Sequence, residues 1–165
     1  MRYFCNRKTM QKEMEHTSTL TAAQWQNLID MLFVEGCSCV IRNGDTVRIF
    51  RERGFADLFR LLNTERDFLQ GAFVADKVVG KAAAALMTLG GVQGVFADVI
   101  SAPAREMLER AGIGVEYTVE VPHIMNRTQN DWCPVEKMCR ECRTAEECLP
   151  LIAEFAERIK QERNK

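Results

Sequence analysis

Cys37-Ser38-Cys39-Val40-Ile41-Arg42-Asn43-Gly44-Asp45-Thr46-Val47-Arg48-Ile49-Phe50 decides how the chain folds. Two runs rich in β-branched and apolar residues flank Asn43-Gly44, and Asn-Gly supplies the left-handed backbone that a tight antiparallel turn requires. The stretch predicts two antiparallel strands. Before it, Thr21-Ala22-Ala23-Gln24 has the form of a capping box, with Leu20 and Trp25 spaced as a hydrophobic staple. Trp25, Leu28, Ile29, Leu32 and Phe33 then recur at helical spacing, and Gly36 is placed to end the helix. After the hairpin, Phe55, Leu58, Phe59 and Leu62 predict a short helix, and Gln70 to Ala75 a short extended stretch ending at Asp76-Lys77. Val79 to Leu89 is alanine-rich and reads as a helix that can lie close to a sheet, stopped by Gly90-Gly91. Val92 to Ile100 reads as a buried strand, Pro103 to Ala111 as a helix closed by Gly112, and Val115, Tyr117, Val119 and Val121 alternate as in a strand. Strand alternating with helix favours parallel pairing through right-handed crossovers.

The C-terminal part reads differently. From Asn126 to Arg143 the chain is polar and cysteine-rich without a period. Thr144-Ala145-Glu146-Glu147 then suggests a second capping box, followed by the stripe Leu151, Ile152, Phe155, Ile159. Pro150 leaves two readings, a kink or a helix that begins there. Residues 1–19 are polar and mixed in charge, and are expected to be a mobile leader. The expected organisation is that leader, an α/β domain over 20–125, and a cysteine-rich segment with a closing helix over 126–165 packed on the same domain.

The chain has 165 residues, 47% of them hydrophobic, enough for a full core in one domain. Its 22 Lys and Arg against 23 Asp and Glu give a net charge of −1, with no overall field to draw in nucleic acid or an anionic membrane. No apolar run approaches the roughly 18 residues of a membrane span, and Met1-Arg2-Tyr3-Phe4-Cys5-Asn6-Arg7-Lys8 has no apolar signal-peptide core. A cytoplasmic location is expected, with reduced cysteines. A homo-oligomer is left open.

The order helix, hairpin, helix, strand, helix, strand is similar to that of the cytidine-deaminase-like fold. Within that fold, Asp76-Lys77-Val78-Val79-Gly80-Lys81, with Asn126-Arg127 and Cys133-Pro134-Val135-Glu136 further on, resembles domain-of-unknown-function family eighteen ninety-three, small bacterial proteins without an assigned activity. The resemblance runs from about Thr21 to the last helix. It implies a three-layer α/β sandwich whose mixed sheet, a hairpin plus parallel strands, carries helices on both faces. A zinc deaminase of this fold would need a His/Cys-x-Glu motif at the start of the helix after the hairpin and Pro-Cys-x-x-Cys opening the next helix. Matching the elements places Val79-Gly80-Lys81 and Pro103-Ala104-Arg105-Glu106-Met107 there. The first offers no ligand and no glutamate, and the second lacks both cysteines, so no zinc at that position and no deamination by that mechanism are expected.

Two constellations remain. Lys77 and Lys81, read as four apart at the start of the alanine-rich helix, put positive charge at an end whose dipole already favours an anion. With Asp76 orienting a lysine or accepting a ligand hydroxyl, they would form a site for a small anionic molecule; the plain alternative is a cap and two solvated lysines. Ser101, opening the next helix, is an N-cap or a ligand contact. Asn126 and Arg127 follow the last strand, where α/β sheets carry binding loops. His123 beside them is read as structural or exposed. The second constellation is Cys133, Cys139, Cys142 and Cys148, four thiols that could bind zinc or an iron–sulfur cluster, or act as a redox sensor through Cys139-x-x-Cys142. Cys133 is also a candidate nucleophile, since a nearby cation such as Arg127 would favour its thiolate. Cys37 and Cys39 are read as core thiols. The expected function is the binding of a small anionic ligand at Lys77 and Lys81, with a metal-binding or redox-sensing module as the alternative.

Overall fold

The computed structural model describes residues 20–165; the expected leader at 1–19 lies outside the described residues. Helix α1 (Ala22–Val34) begins at Thr21, whose hydroxyl accepts from the Gln24 N–H at 3.1 Å while the Gln24 side chain accepts from the Thr21 N–H at 3.0 Å. This closes two of the donors that a helix start leaves open. Leu28, Ile29 and Leu32 form its buried face, each contributing about 2 kcal/mol of burial.

Strands β1 (Cys39–Asn43) and β2 (Thr46–Phe50) pair antiparallel as expected, with Asn43 opposite Thr46. The turn is one residue later than the Asn-Gly reading places it. Gly44, at φ 59°, takes the first of the two loop positions, while Asn43 ends the strand and its side-chain amide donates to the Phe68 and Gln70 carbonyls. The chain continues through α2 (Ala56–Thr64), α3 (Arg66–Leu69), β3 (Phe73–Val79), α4 (Lys81–Gly90), β4 (Gly94–Ser101), α5 (Ala102–Arg110), β5 (Gly114–Val121), α6 (Pro134–Met138) and α7 (Ala145–Arg163).

The fold is α/β, with one five-stranded mixed sheet in the order β2-β1-β3-β4-β5. β1 is antiparallel to both neighbours, and β3, β4 and β5 run parallel. Helices lie on both faces. On one, α1 packs Leu28, Ile29 and Leu32 against Val40, Phe73, Ala75 and Phe96. On the other, the remaining helices share a larger core with Ile41, Val74, Val95 and Ala97. At its centre α4 is buried from Lys81 through Met87, the behaviour of a helix enclosed on every side. Gly90 serves close packing there, since a Cβ on it would sit 2.8 Å from Leu69 Cδ1.

Several element boundaries depart from expectation. β3 does not end at Asp76-Lys77 but continues to Val79, because its later residues pair with β4, Asp76 with Ala97 and Val79 with Ile100. Accordingly α4 starts at Lys81 with Gly80 as its N-cap. α6, a single turn, lies in the segment expected to lack structure. For Pro150, the helix begins before it: Thr144 caps α7 by accepting from the Glu147 N–H, and Pro150 lies inside. The second capping box is only half formed, as the Glu147 carboxylate accepts from the Arg143 N–H. Among the described residues no helix is long and apolar enough to cross a membrane.

Candidate functional site

Parallel strands deliver their following loops to one edge of the sheet. At that edge the end of β3, the start of α4, the loop after β5, the start of α6 and one side of α7 enclose a cavity of about 590 Å³. Its floor is apolar, formed by Phe55, Ala82, Ala83, Ile124, Val135, Phe155 and Ile159, Cys133 lies in its wall, and its rim carries Arg53, Lys77, Asn126 and Arg127. A second cavity of about 500 Å³ shares Arg53, Phe55, Arg127 and Ile159 with it and adds Lys160 and Arg163. Among the described residues Arg53, Lys77 and Arg127 make no ion pair with a carboxylate of the chain, unlike Arg60, which is held by Asp57 and Glu52. Glu52 and Arg60 line the second cavity. The adjoining cavities thus carry unpaired positive charge above an apolar floor.

The lysines do not share a helix. Lys77 is half-buried on β3, and Lys81 is the first residue of α4. Lys81 is only 6% exposed, and its amino group turns to the carbonyls of Arg140, at 3.1 Å, and Cys142, at 2.5 Å. The anion at the start of α4 is the protein's own. The carboxylate of Glu136, from α6, accepts from the Lys81 N–H at 2.9 Å, the Ser101 hydroxyl at 2.7 Å and the Ile124 N–H at 2.5 Å. Ser101 also caps α5, accepting from the Ala104 N–H. One buried carboxylate therefore ties the starts of α4 and α5 to the loop after β5, where positive helix ends favour it.

Asp76 is buried on β3, beneath the rim rather than on it. Its carboxylate accepts from the Val78 N–H at 3.2 Å. Burial pushes it up to about 7, against the opposing effect of hydrogen bonds from the backbone and the Cys39 thiol. Burial likewise raises the Cys39 thiol well above its ordinary range, aided by the Asp76 and Asp57 charges. Asn126 spends its side chain on its own loop, donating to Asn130 and accepting from the Thr128 hydroxyl and the Asn130 N–H. His123 stacks on Trp132 with ring centres 4.0 Å apart.

Of the four C-terminal cysteines, three converge. The sulfurs of Cys139, Cys142 and Cys148 all lie within 4.8 Å of one another and form a group that could hold a metal ion. Cys139 and Cys148 are buried and Cys142 half-buried. Cys133 is outside this group, on the wall of the pocket, because α6 separates it from Cys139 and carries it to the other end of the turn. A hydrogen bond from the Cys148 thiol lowers Cys139 and raises Cys148, while burial pushes Cys142 up to about 11.

Glu136, Arg53 and the α7 side chains Phe155 and Ile159 were not singled out by sequence as parts of a site. Only Glu136 carries a local hint, an acid two residues after a proline that opens a helix.

These features define a small α/β protein with a cation-rimmed pocket at the carboxyl ends of its parallel strands. The chain belongs to the family described as TM1506, Domain of unknown function (DUF1893), whose model matches residues 27–156. It is similar in fold to the crystal structure, at 2.70 Å, of a DUF1893 family protein (TM1506) from Thermotoga maritima. The two are 23% identical, with a TM-score of 0.77 over 86% of this chain and 95% of that one. No curated protein matches the chain.

Proposed function

We propose that the protein binds a small anionic molecule with an apolar body in the pocket rimmed by Arg53, Lys77 and Arg127. The observation that carries this reading is the pairing of three cations, without acidic partners among the described residues, with an apolar cavity of about 590 Å³, within the usual range for small-molecule sites. The anionic group would meet the rim and the body would lie on Phe55, Phe155 and Ile159. Lys81 contributes its stem to the wall, its charge being used elsewhere. Cys133, half-buried on the same wall, is placed to touch a ligand. In the cytidine-deaminase-like resemblance the starts of α4 and α5 are where a zinc deaminase would hold its metal. Here the Glu136 carboxylate spans them, which supports a ligand held without that metal.

Calorimetric titration with inorganic phosphate, a nucleoside monophosphate and an aromatic carboxylate tests this reading. At least one organic anion is expected to bind more tightly than phosphate, with affinity falling as salt rises. Lys77→Ala with Arg127→Ala should weaken it at least tenfold. Affinity unchanged in the double variant, or no binding by any of the three probes, would defeat the proposal.

A second reading is favoured by the convergence of Cys139, Cys142 and Cys148: the C-terminal segment is a metal-binding or redox-sensing module, with zinc or an iron–sulfur cluster as candidate cofactors.

A further inference from the structure

The three thiols have a neighbour whose burial calls for negative charge. Lys81 is 6% exposed, and its amino group has two carbonyl oxygens as partners. No carboxylate lies within ion-pair distance of that group among the described residues, and Glu136 engages the Lys81 backbone instead. Two carbonyl dipoles only partly replace the hydration of a buried ammonium. The Cys142 carbonyl that Lys81 holds belongs to one of the three, and the Arg140 carbonyl lies one residue after another, Cys139.

Resting on the second reading above, we infer that Cys139, Cys142 and Cys148 bind one divalent ion of the zinc and cadmium class through three thiolates, with Lys81 as the charge partner and the fourth position open to solvent. The charges balance: three thiolates and a divalent ion leave one negative charge, which the Lys81 ammonium cancels. Sulfurs about 2.3 Å from a tetrahedral centre are roughly 3.8 Å apart, so a set already within 4.8 Å needs contraction of about 1 Å or less. Metal entry releases the thiol protons to solvent, up to three per ion. Among the described residues no fourth Cys, His, Asp or Glu joins the group. Cys133 lies outside the group, and His123 is stacked on Trp132. Cys142, the half-buried member, marks the side on which water or a small exogenous thiol completes the coordination. Structural zinc sites are closed by four protein ligands, whereas a three-ligand site keeps a position for exchange.

The test uses reduced, full-length protein, handled anaerobically and titrated with Cd(II) and Co(II). One equivalent should produce thiolate-to-metal absorption, and an added small thiol should shift the Co(II) spectrum by entering the fourth position. Cys142→Ser, at the most exposed of the three positions, should weaken binding at least tenfold, and Cys133→Ser should leave it unchanged. Lys81→Met should weaken binding tenfold or more while keeping the stoichiometry, the size expected for a partner outside the coordination sphere; Lys81→Arg, which keeps the charge, should restore much of it. Circular dichroism checks that each variant folds. Absence of any absorption change in reduced protein would overturn the metal reading itself. A one-equivalent band that Cys133→Ser abolishes, or one that no added thiol perturbs, would keep the metal and overturn the open three-thiolate site.

Discussion

Asp76 shows what burial does to one acid. Its carboxyl titrates at about 7 against an ordinary 3.8 because ionisation inside the sheet core forfeits hydration. Below pH 4 both folded and unfolded chains hold the proton. As pH rises, the unfolded chain releases it first, so stability is lost between about pH 4 and pH 7 and is level above that. A rise of about three pH units, at ~1.4 kcal/mol each, sets the full effect at about 4 kcal/mol. Asp76→Asn removes the titration. In urea unfolding at pH 4.5 and pH 7.5, the variant should therefore gain on the parent protein at the higher pH; parallel pH profiles for the two would refute this account.

Among the elements, the joint between α6 and the starts of α4 and α5 is the one most exposed to a single change. Glu136→Gln keeps the shape, but its amide N–H₂ replaces one of the two oxygens and so meets a backbone donor either way, the Ile124 N–H on one side or the Lys81 N–H on the other. Losing charge-assisted bonds of this kind is expected to cost about 3 kcal/mol and to lower Tm by about 10 °C. A variant melting with the parent would show that the carboxylate does not fasten these elements. The same joint marks the limit of what sequence reveals. The hairpin, the α1 cap and the alternation of β4, α5 and β5 rest on neighbours in the chain, and turn, cap and period express them directly. The boundary between β3 and α4 is ambiguous in sequence because Lys77-Val78-Val79 suits a strand or a helix, and only pairing with β4 decides between them. α6 is too short to have a period. Lys77, Asn126, Arg127 and Cys133 could be nominated from local context, whereas Arg53 and Phe155 reach the pocket from positions about a hundred residues apart. For Lys81, its position suggested a ligand contact; its carbonyl partners, some sixty residues away, are a property of the folded chain alone.

For the whole molecule, the question is whether 126–165 stands apart from the sheet. Ile152 on α7 is fully buried in the same core as α4, and Leu32 on α1 is fully buried across the sheet. Truncating either to alanine should cost about 2–5 kcal/mol. If the chain is one cooperative unit, both variants lower a single calorimetric transition. A second, earlier transition in Ile152→Ala alone would mean that the C-terminal segment unfolds separately.

The Glu136 carboxylate also has a consequence for the order in which the chain is made. The backbone of α4 and the hydroxyl that caps α5 leave the ribosome well before the acid that satisfies them, 55 residues behind Lys81 and 35 behind Ser101. During that interval α4, buried all round in the finished protein, lacks the covering that α7 gives it. A nascent chain stalled before residue 126 should thus present an apolar helix and open donors to whatever holds it. Nascent chains released after α7 has emerged should resist protease, and those released earlier should be digested. Completion of this fold is in this sense timed by α6 and α7, which close the sheet's edge only when the strands and the earlier helices are in place.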